Sequence, residues 1–176
     1  MIFDKTIGYA EIISFISLIF VIIGAIFTFV QWQKAIKRQR ADYINELTEK
    51  IRTDIDIREI VYIIDYNVKW YNEKFQDSGD FERKVDKTLS YFSYICYLKH
   101  EKAISKKEFI FFKYEIERIV MNTQVINYFY NLYHFAQKFN CPITFKYLFD
   151  FGKKHKYFNK DFFNPNSSNY PHYLNF

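Results

Sequence analysis

The sequence predicts an all-α fold, an N-terminal transmembrane helix followed by a cytosolic bundle of about five helices. Three observations carry that expectation. Ile12 to Val30 is a run of nineteen residues without a charge, fourteen of them Ile, Leu, Phe or Val. Only four Gly and three Pro occur in 176 residues, so little interrupts long helices. Behind the run, apolar residues recur at helical spacing, and Ser, Thr, Asn and Asp stand where helices would start.

At about 1.5 Å per residue, the uncharged run reaches roughly 28 Å as a helix, close to the ~30 Å hydrocarbon core of a bilayer. Its large apolar residues favour insertion by up to ~5 kcal/mol, less the cost of Ser14, Ser17, Gly24 and Thr28. A buried helix of a soluble domain rarely keeps every face apolar for this length. A cleaved signal peptide would have a shorter run followed by small residues and a polar cleavage region. Here Phe27, Phe29 and Val30 continue the helix past Gly24-Ala25, and Trp32, Lys34, Lys37, Arg38 and Arg40 follow. The N-terminal flank sets Lys5 and the start amine against Asp4 and Glu11. The positive-inside rule then puts the N-terminus outside and residues 31–176 in the cytoplasm, with the protein in the inner (cytoplasmic) membrane. Trp32 and the four cations sit at interfacial depth, where each cation gains roughly 1 kcal/mol from anionic headgroups.

Ser14, Ser17, Val21, Gly24, Thr28, Gln31 and Ala35 are spaced alternately by three and four. Five of the seven are small, as in seams where membrane helices approach closely. One reading is self-association of the anchor through Ser14, Ser17, Gly24 and Thr28. The other is a monomeric anchor in which these residues fell together by chance.

The organisation expected along the chain is a short extracytoplasmic N-terminus (1–11), the transmembrane helix (12–30), a basic juxtamembrane helix (31–52), a helical cytosolic domain (53–151) and an irregular basic, Asn-rich tail (152–176). The juxtamembrane helix carries Ile44, Leu47 and Ile51 on one stripe and continues the anchor without a Gly or Pro. Thr53-Asp54 reads as a cap for a second helix through IREIVYIIDYNVKWYNEKF, with Ile57, Ile60, Val61 and Ile64 inward. QDSGD (76–80) is a break, and a third helix from about Phe81 to Lys99 buries Val85, Leu89, Phe92 and Cys96. Ser105 and Glu108 match a capping box opening a fourth helix, EFIFFKYEIERIVM. Asn122-Thr123 caps a fifth with Val125, Phe129, Leu132, Ala136 and Phe139 inward. Pro142 fits the first turn of a sixth ending near Phe151. The remainder, closing NPNSSNYPHYLNF, reads as extended or poorly ordered.

The net charge of +5 is concentrated at Lys34–Arg40 and again at Lys153–Lys156 with Lys160. Headgroups explain the first cluster more simply than nucleic acid does, and no nucleic-acid motif accompanies either, so no nucleic acid is expected. Cys96 and Cys141 have neither CxxC nor metal-ligand spacing and read as packing thiols in a reducing cytosol. No HExxH, P-loop, GxGxxG or GxSxG is present, and the four histidines form no ligand set, so neither cofactor nor metal nor enzymatic activity is expected. Asp54 and Asp56 would face apart on a helix and favour its positive end. Glu115 and Glu117 read as a solvated face. The stripe Tyr62, Tyr66, Trp70 reads as core packing ahead of a ligand groove. Arg58, Asp65, Tyr114 and Arg118 are polar residues in greasy helices. Asp65 either pairs with an arginine from a neighbouring helix and fixes the bundle's register, or these are unrelated exposed charges.

The stretches IREIVYIIDYNVKWY, DKTLSYFSYICYL and ISKKEFIFFKYEIERI, in this order behind an anchor, resemble an uncharacterised family of bacterial membrane proteins with one N-terminal span and a small helical cytosolic domain. The likeness covers residues 10–150, implies the same fold and topology, and brings no activity. The functional expectation is a membrane-tethered helical protein-interaction module, a scaffold or sensor with a cytosolic protein partner. The alternative is an oligomerising membrane effector, of toxin or antiviral abortive-infection type.

Overall fold

The computed structural model describes residues 8–173. Those residues form six α-helices and two short 3-10 turns, and none forms a strand. The chain divides into two compact units, Met1–Glu46 and Leu47–Phe176.

The first helix, α1, runs unbroken from Tyr9 to Thr53. No Gly or Pro interrupts it after Gly24, so the expected segments 12–30 and 31–52 are one element, and the second unit begins inside it at Leu47. Near its N-terminus α1 is long and apolar enough to cross a membrane, and that apolar stretch is exposed on every side. The expected segment 1–11 falls mostly outside the described residues. Ser14 and Thr28 donate their hydroxyls to the carbonyls of Ala10 and Gly24, both at 2.8 Å, so these polar groups are satisfied within the helix.

In the second unit, Asp54 caps α2 (Ile55–Asp65), its carboxylate accepting from the backbone N–H of Asp56 and Ile57 at 3.1 and 3.3 Å. Ile57, Ile60 and Ile64 are buried. This helix is ten residues shorter at its C-terminus than the apolar periodicity to Phe75 predicts. Asn67 takes a left-handed conformation (φ 50°), its N–H donates to Ile64 and that of Val68 to Ile63, a Schellman ending. The chain then turns inward, and Trp70, Tyr71 and Phe75 fill the space beside Tyr128, with ring centroids 5.1–6.1 Å from it. The Tyr62–Tyr66–Trp70 stripe is therefore split. Trp70 is core, while Tyr62 of α2 and Tyr66, the residue that caps its C-terminus, stand exposed.

Gly79 (φ 54°) leads into α3 (Asp80–His100), which packs against all of α2, α4 and α6 and buries Val85, Leu89, Phe92 and Cys96. Burial pushes the Cys96 thiol up to about 12, that of a packing residue. Cys141 is exposed, which corrects its assignment as a packing thiol. The capping box of Ser105 and Glu108 opens α4 (Lys106–Met121), and Asn122 caps α5 (Thr123–Phe139). On α5 the inward positions include Val125, Phe129, Ala136, Tyr128, Tyr130 and His134, but Phe139 is exposed. Pro142 lies in the loop that follows, because α6 (Lys146–Lys154) starts only after Phe145, whose left-handed backbone delivers a buried ring against Phe129.

As far as Tyr173 the tail is packed on the helices, contrary to its polar composition. Phe158 and Phe162 are buried on Phe149 and α5, and a second 3-10 turn (Lys160–Phe163) follows Asn159. Tyr130 donates to Asn164 O at 2.9 Å, Asn131 donates to Pro171 O at 2.8 Å, and the N–H of Tyr173 donates back to Asn131 at 3.0 Å. His134, buried, hydrogen-bonds Phe162 O at 2.9 Å. Burial holds its imidazole below its usual range, so it packs neutral.

Candidate interaction face

On α4 the buried residues Phe109, Phe112, Ile116, Ile119 and Val120 occupy one side. Phe111, Tyr114, Arg118 and Met121, spaced three, four and three, occupy the other, with Ile110 beside them. Phe111 is 68% exposed, Ile110 and Tyr114 65%, and Met121 57%. α2 packs against α4 and adds Tyr62 and Tyr66, stacked at 6.5 Å and also exposed. Scattered apolar residues on a surface are ordinary, but four large side chains gathered on one face of α4, beside a helix whose end adds two exposed tyrosines, are of the kind that marks binding surfaces.

The polar residues singled out from the sequence sit in this face. Arg118 forms an ion pair with Asp65 of α2, a second with Glu115 at 3.2 Å, and lies 4.9 Å from the centroid of the Tyr114 ring. Asp65, Arg118 and Tyr114 are thus brought together; Arg58 is exposed on α2 and takes no part in this group. Burial raises Glu115 above the usual carboxylate range, and Glu117 accepts from the Tyr157 hydroxyl at 3.2 Å, so neither belongs to a simply solvated face. The side chains of Asp65 and Arg118 are 24% and 28% exposed, so water screens the pair and the full cost of an orphaned buried charge does not apply. Asp65→Ala is expected to lower stability by about 1–2 kcal/mol in urea denaturation, short of the ~3–5 kcal/mol of a fully buried pair. An unchanged midpoint would remove the pair from the account.

Asp54 and Asp56 do not face apart. Lys87 of α3 bonds both at 2.8 Å, and Arg83 reaches Asp56 at 3.4 Å. Hydrogen bonding to Lys87 holds both carboxyls below the usual range, and the same bonds raise Lys87. A lowered carboxyl contributes stability above its unfolded pKa near 4 and loses it as pH falls through the folded value; a raised lysine loses its share only at alkaline pH. The melting-temperature gap between the native chain and Lys87→Met is therefore expected to be wide at pH 7 and to close as pH falls below about 4. A pH-independent gap would contradict this.

The remaining sequence-derived positions, Trp32, Lys34, Lys37, Arg38 and Arg40 and the small residues Ser14, Ser17, Gly24 and Thr28, lie exposed along α1. Ile110, Phe111 and Met121 were not anticipated as surface residues. The signal was present in EFIFFKYEIERIVM, where four consecutive apolar residues, Phe109 to Phe112, cannot all point to one side of a helix. Among the described residues, no group of three His, Cys, Asp or Glu is placed to hold a metal ion. A scan against protein-family models finds no match, and searches of curated proteins and of solved structures find none either.

Proposed function

We propose that this chain is a membrane-tethered helical protein-interaction module, a scaffold or sensor, which α1 anchors in the inner membrane with the second unit in the cytoplasm. The observation that carries this reading is the exposed α2–α4 face. Its composition favours a protein as the occupant over a lipid surface. Tyr, Phe, Met and Arg are the residues enriched at protein interfaces, and an arginine steadied by carboxylates and a tyrosine ring resembles a hot spot. The cations of α4 (Lys106, Lys107, Lys113, Arg118) are matched by Glu108, Glu115, Glu117 and Asp65, which leaves little net attraction for anionic headgroups. The basic stretch after residue 31 meets the headgroups instead.

The test is a photo-crosslinking amino acid at position 114 of the full chain in cells, with position 77 as an exposed control. One discrete crosslinked species from 114, absent from 77 and at least tenfold weaker in Phe111→Asp, supports the reading. Equal patterns from both positions would refute it.

Self-association of the anchor accords with the same reading. A Cβ at Gly24 would meet nothing within 4 Å, so Gly24→Ile leaves the helix itself undisturbed. Any loss of in-membrane crosslinking in Gly24→Ile therefore reports on contact between copies, and a severalfold loss is expected; no change would dismiss the seam. An effector that breaches the bilayer would depolarise cells when the full chain, but not residues 31–176, is expressed.

A further inference from the structure

A second feature lies away from the α2–α4 face and does not depend on it. The end of α3, the start of α4 and the end of α6 enclose a groove of about 370 Å³. Lys99, Lys102, Lys106 and Lys154 line it, and its apolar floor is made by Phe109, Phe151 and Tyr147. Lys99 lies 5.9 Å from the Phe109 ring centroid, and the Phe109 and Phe151 rings are 5.9 Å apart. Asp150 is the one carboxylate among the lining residues, and it is bonded to Lys146 at 2.5 Å. Among the described residues, none of the four groove lysines forms an ion pair.

Helix geometry accounts for only half of these cations. Lys99 and Lys154 stand in the last turns of α3 and α6, where the negative end of the helix favours them. Lys102 stands in the connecting loop with a left-handed backbone (φ 59°), and Lys106 opens α4, where the positive helix end disfavours a cation. Four lysines and a single carboxylate, Asp150, line this concave, partly apolar surface, and the excess of positive charge focuses a positive potential there.

The geometry points to a binding site for a phosphate-bearing ligand, with the phosphate held by Lys102 and Lys106 between Lys99 and Lys154 and the ligand's flat or apolar body on the half-buried rings of Tyr147 and Phe151. Two sources offer that chemistry, an anionic phospholipid headgroup and a soluble nucleotide. A ligand seated here would touch the first turn of α4, the helix that carries Phe111 and Tyr114 on another side.

The experiment is lysine acylation footprinting by mass spectrometry on the full chain, with Lys138 as the reference. The arms are phosphatidylcholine nanodiscs alone, the same with ATP or with inorganic pyrophosphate, and nanodiscs containing phosphatidylglycerol. The expected result is a slowing of roughly tenfold at Lys102 and Lys106 relative to Lys138 in at least one phosphate-bearing arm. The effect should be lost at Lys99 and Lys154 in the Lys102→Glu/Lys106→Glu double variant at an unchanged melting temperature. Protection by ATP but not pyrophosphate assigns a nucleotide, and protection by phosphatidylglycerol alone assigns a headgroup. Equal reactivity in every arm overturns the site. So does a double variant that melts lower yet keeps the protection of Lys99 and Lys154, because the lysines would then be structural.

Discussion

Phe162→Ala is expected to destabilise the second unit by about 3–5 kcal/mol and to lower its melting temperature by roughly 10–20 °C. The ring is fully buried, 4.5 Å from Phe158, 5.8 Å from Tyr130 and 5.9 Å from Phe149 between centroids. Truncation removes the transfer energy of a buried phenyl group and leaves a cavity that neighbouring rings, fixed on α5 and α6, are poorly able to close. Near-UV circular dichroism on heating the full chain in detergent gives the measurement, because the rings packed around Phe162 are held in one fixed arrangement only while the second unit is folded. A shift of under 2 °C would mean that the tail merely lies against α5 and that the unit's core ends near Phe151.

The second large effect is expected at Asn122. Its Oδ1 accepts from the backbone N–H of Gln124 and Val125 at 2.9 and 3.2 Å, while its Nδ2 donates to Ile64 O at 3.2 Å. One side chain thus starts α5 and ties off the end of α2. Asn122→Ala removes the cap, leaves the buried N–H groups of Gln124 and Val125 without an acceptor and takes from Ile64 O its second donor beside the Asn67 N–H, a loss of about 2–3 kcal/mol. Asn122→Asp keeps the cap oxygen but points a carboxylate at the Ile64 carbonyl, so an intermediate loss is expected. Urea denaturation of the three proteins orders them Asn, Asp, Ala. Asp matching the native chain would show that the cap alone matters and that the link to α2 is idle.

Local chemistry explains what could be read ahead of the structure. The caps at Asp54, Ser105 with Glu108, and Asn122 depend on residues within three positions of each other, and each opens its expected helix. Helix ends were harder. Asn67, not a glycine, supplies the left-handed residue that stops α2, and the apolar period runs on through Tyr71 and Phe75 because those residues are buried from a loop. Pro142 has the chemistry to begin a helix, yet the burial of Phe145 sets where α6 starts. The tail has the composition of a disordered segment, but its aromatic residues meet α5 across 28–42 positions, a separation no local pattern encodes.

The candidate face was readable in part for the same reason. Asp65 in a greasy helix left two readings open, a pair with an arginine of a neighbouring helix or an unrelated exposed charge, and the packing of α2 on α4 selects the first by bringing Arg118 to it. The groove lysines lie at 99, 102, 106 and 154, and only the approach of α6 to the turn between α3 and α4 gathers them.

The two native cysteines report directly on the proposed placement of the second unit in the cytoplasm, tethered by α1. Cys141 is exposed and Cys96 is buried. In cells expressing the full chain, an impermeant maleimide is expected to leave Cys141 unlabelled until the membrane is permeabilised, and an added Ile2→Cys is expected to be labelled in intact cells. The chain should stay in the membrane pellet after alkaline carbonate washing. Labelling of Cys141 in intact cells, or release of the chain by carbonate, would contradict the account.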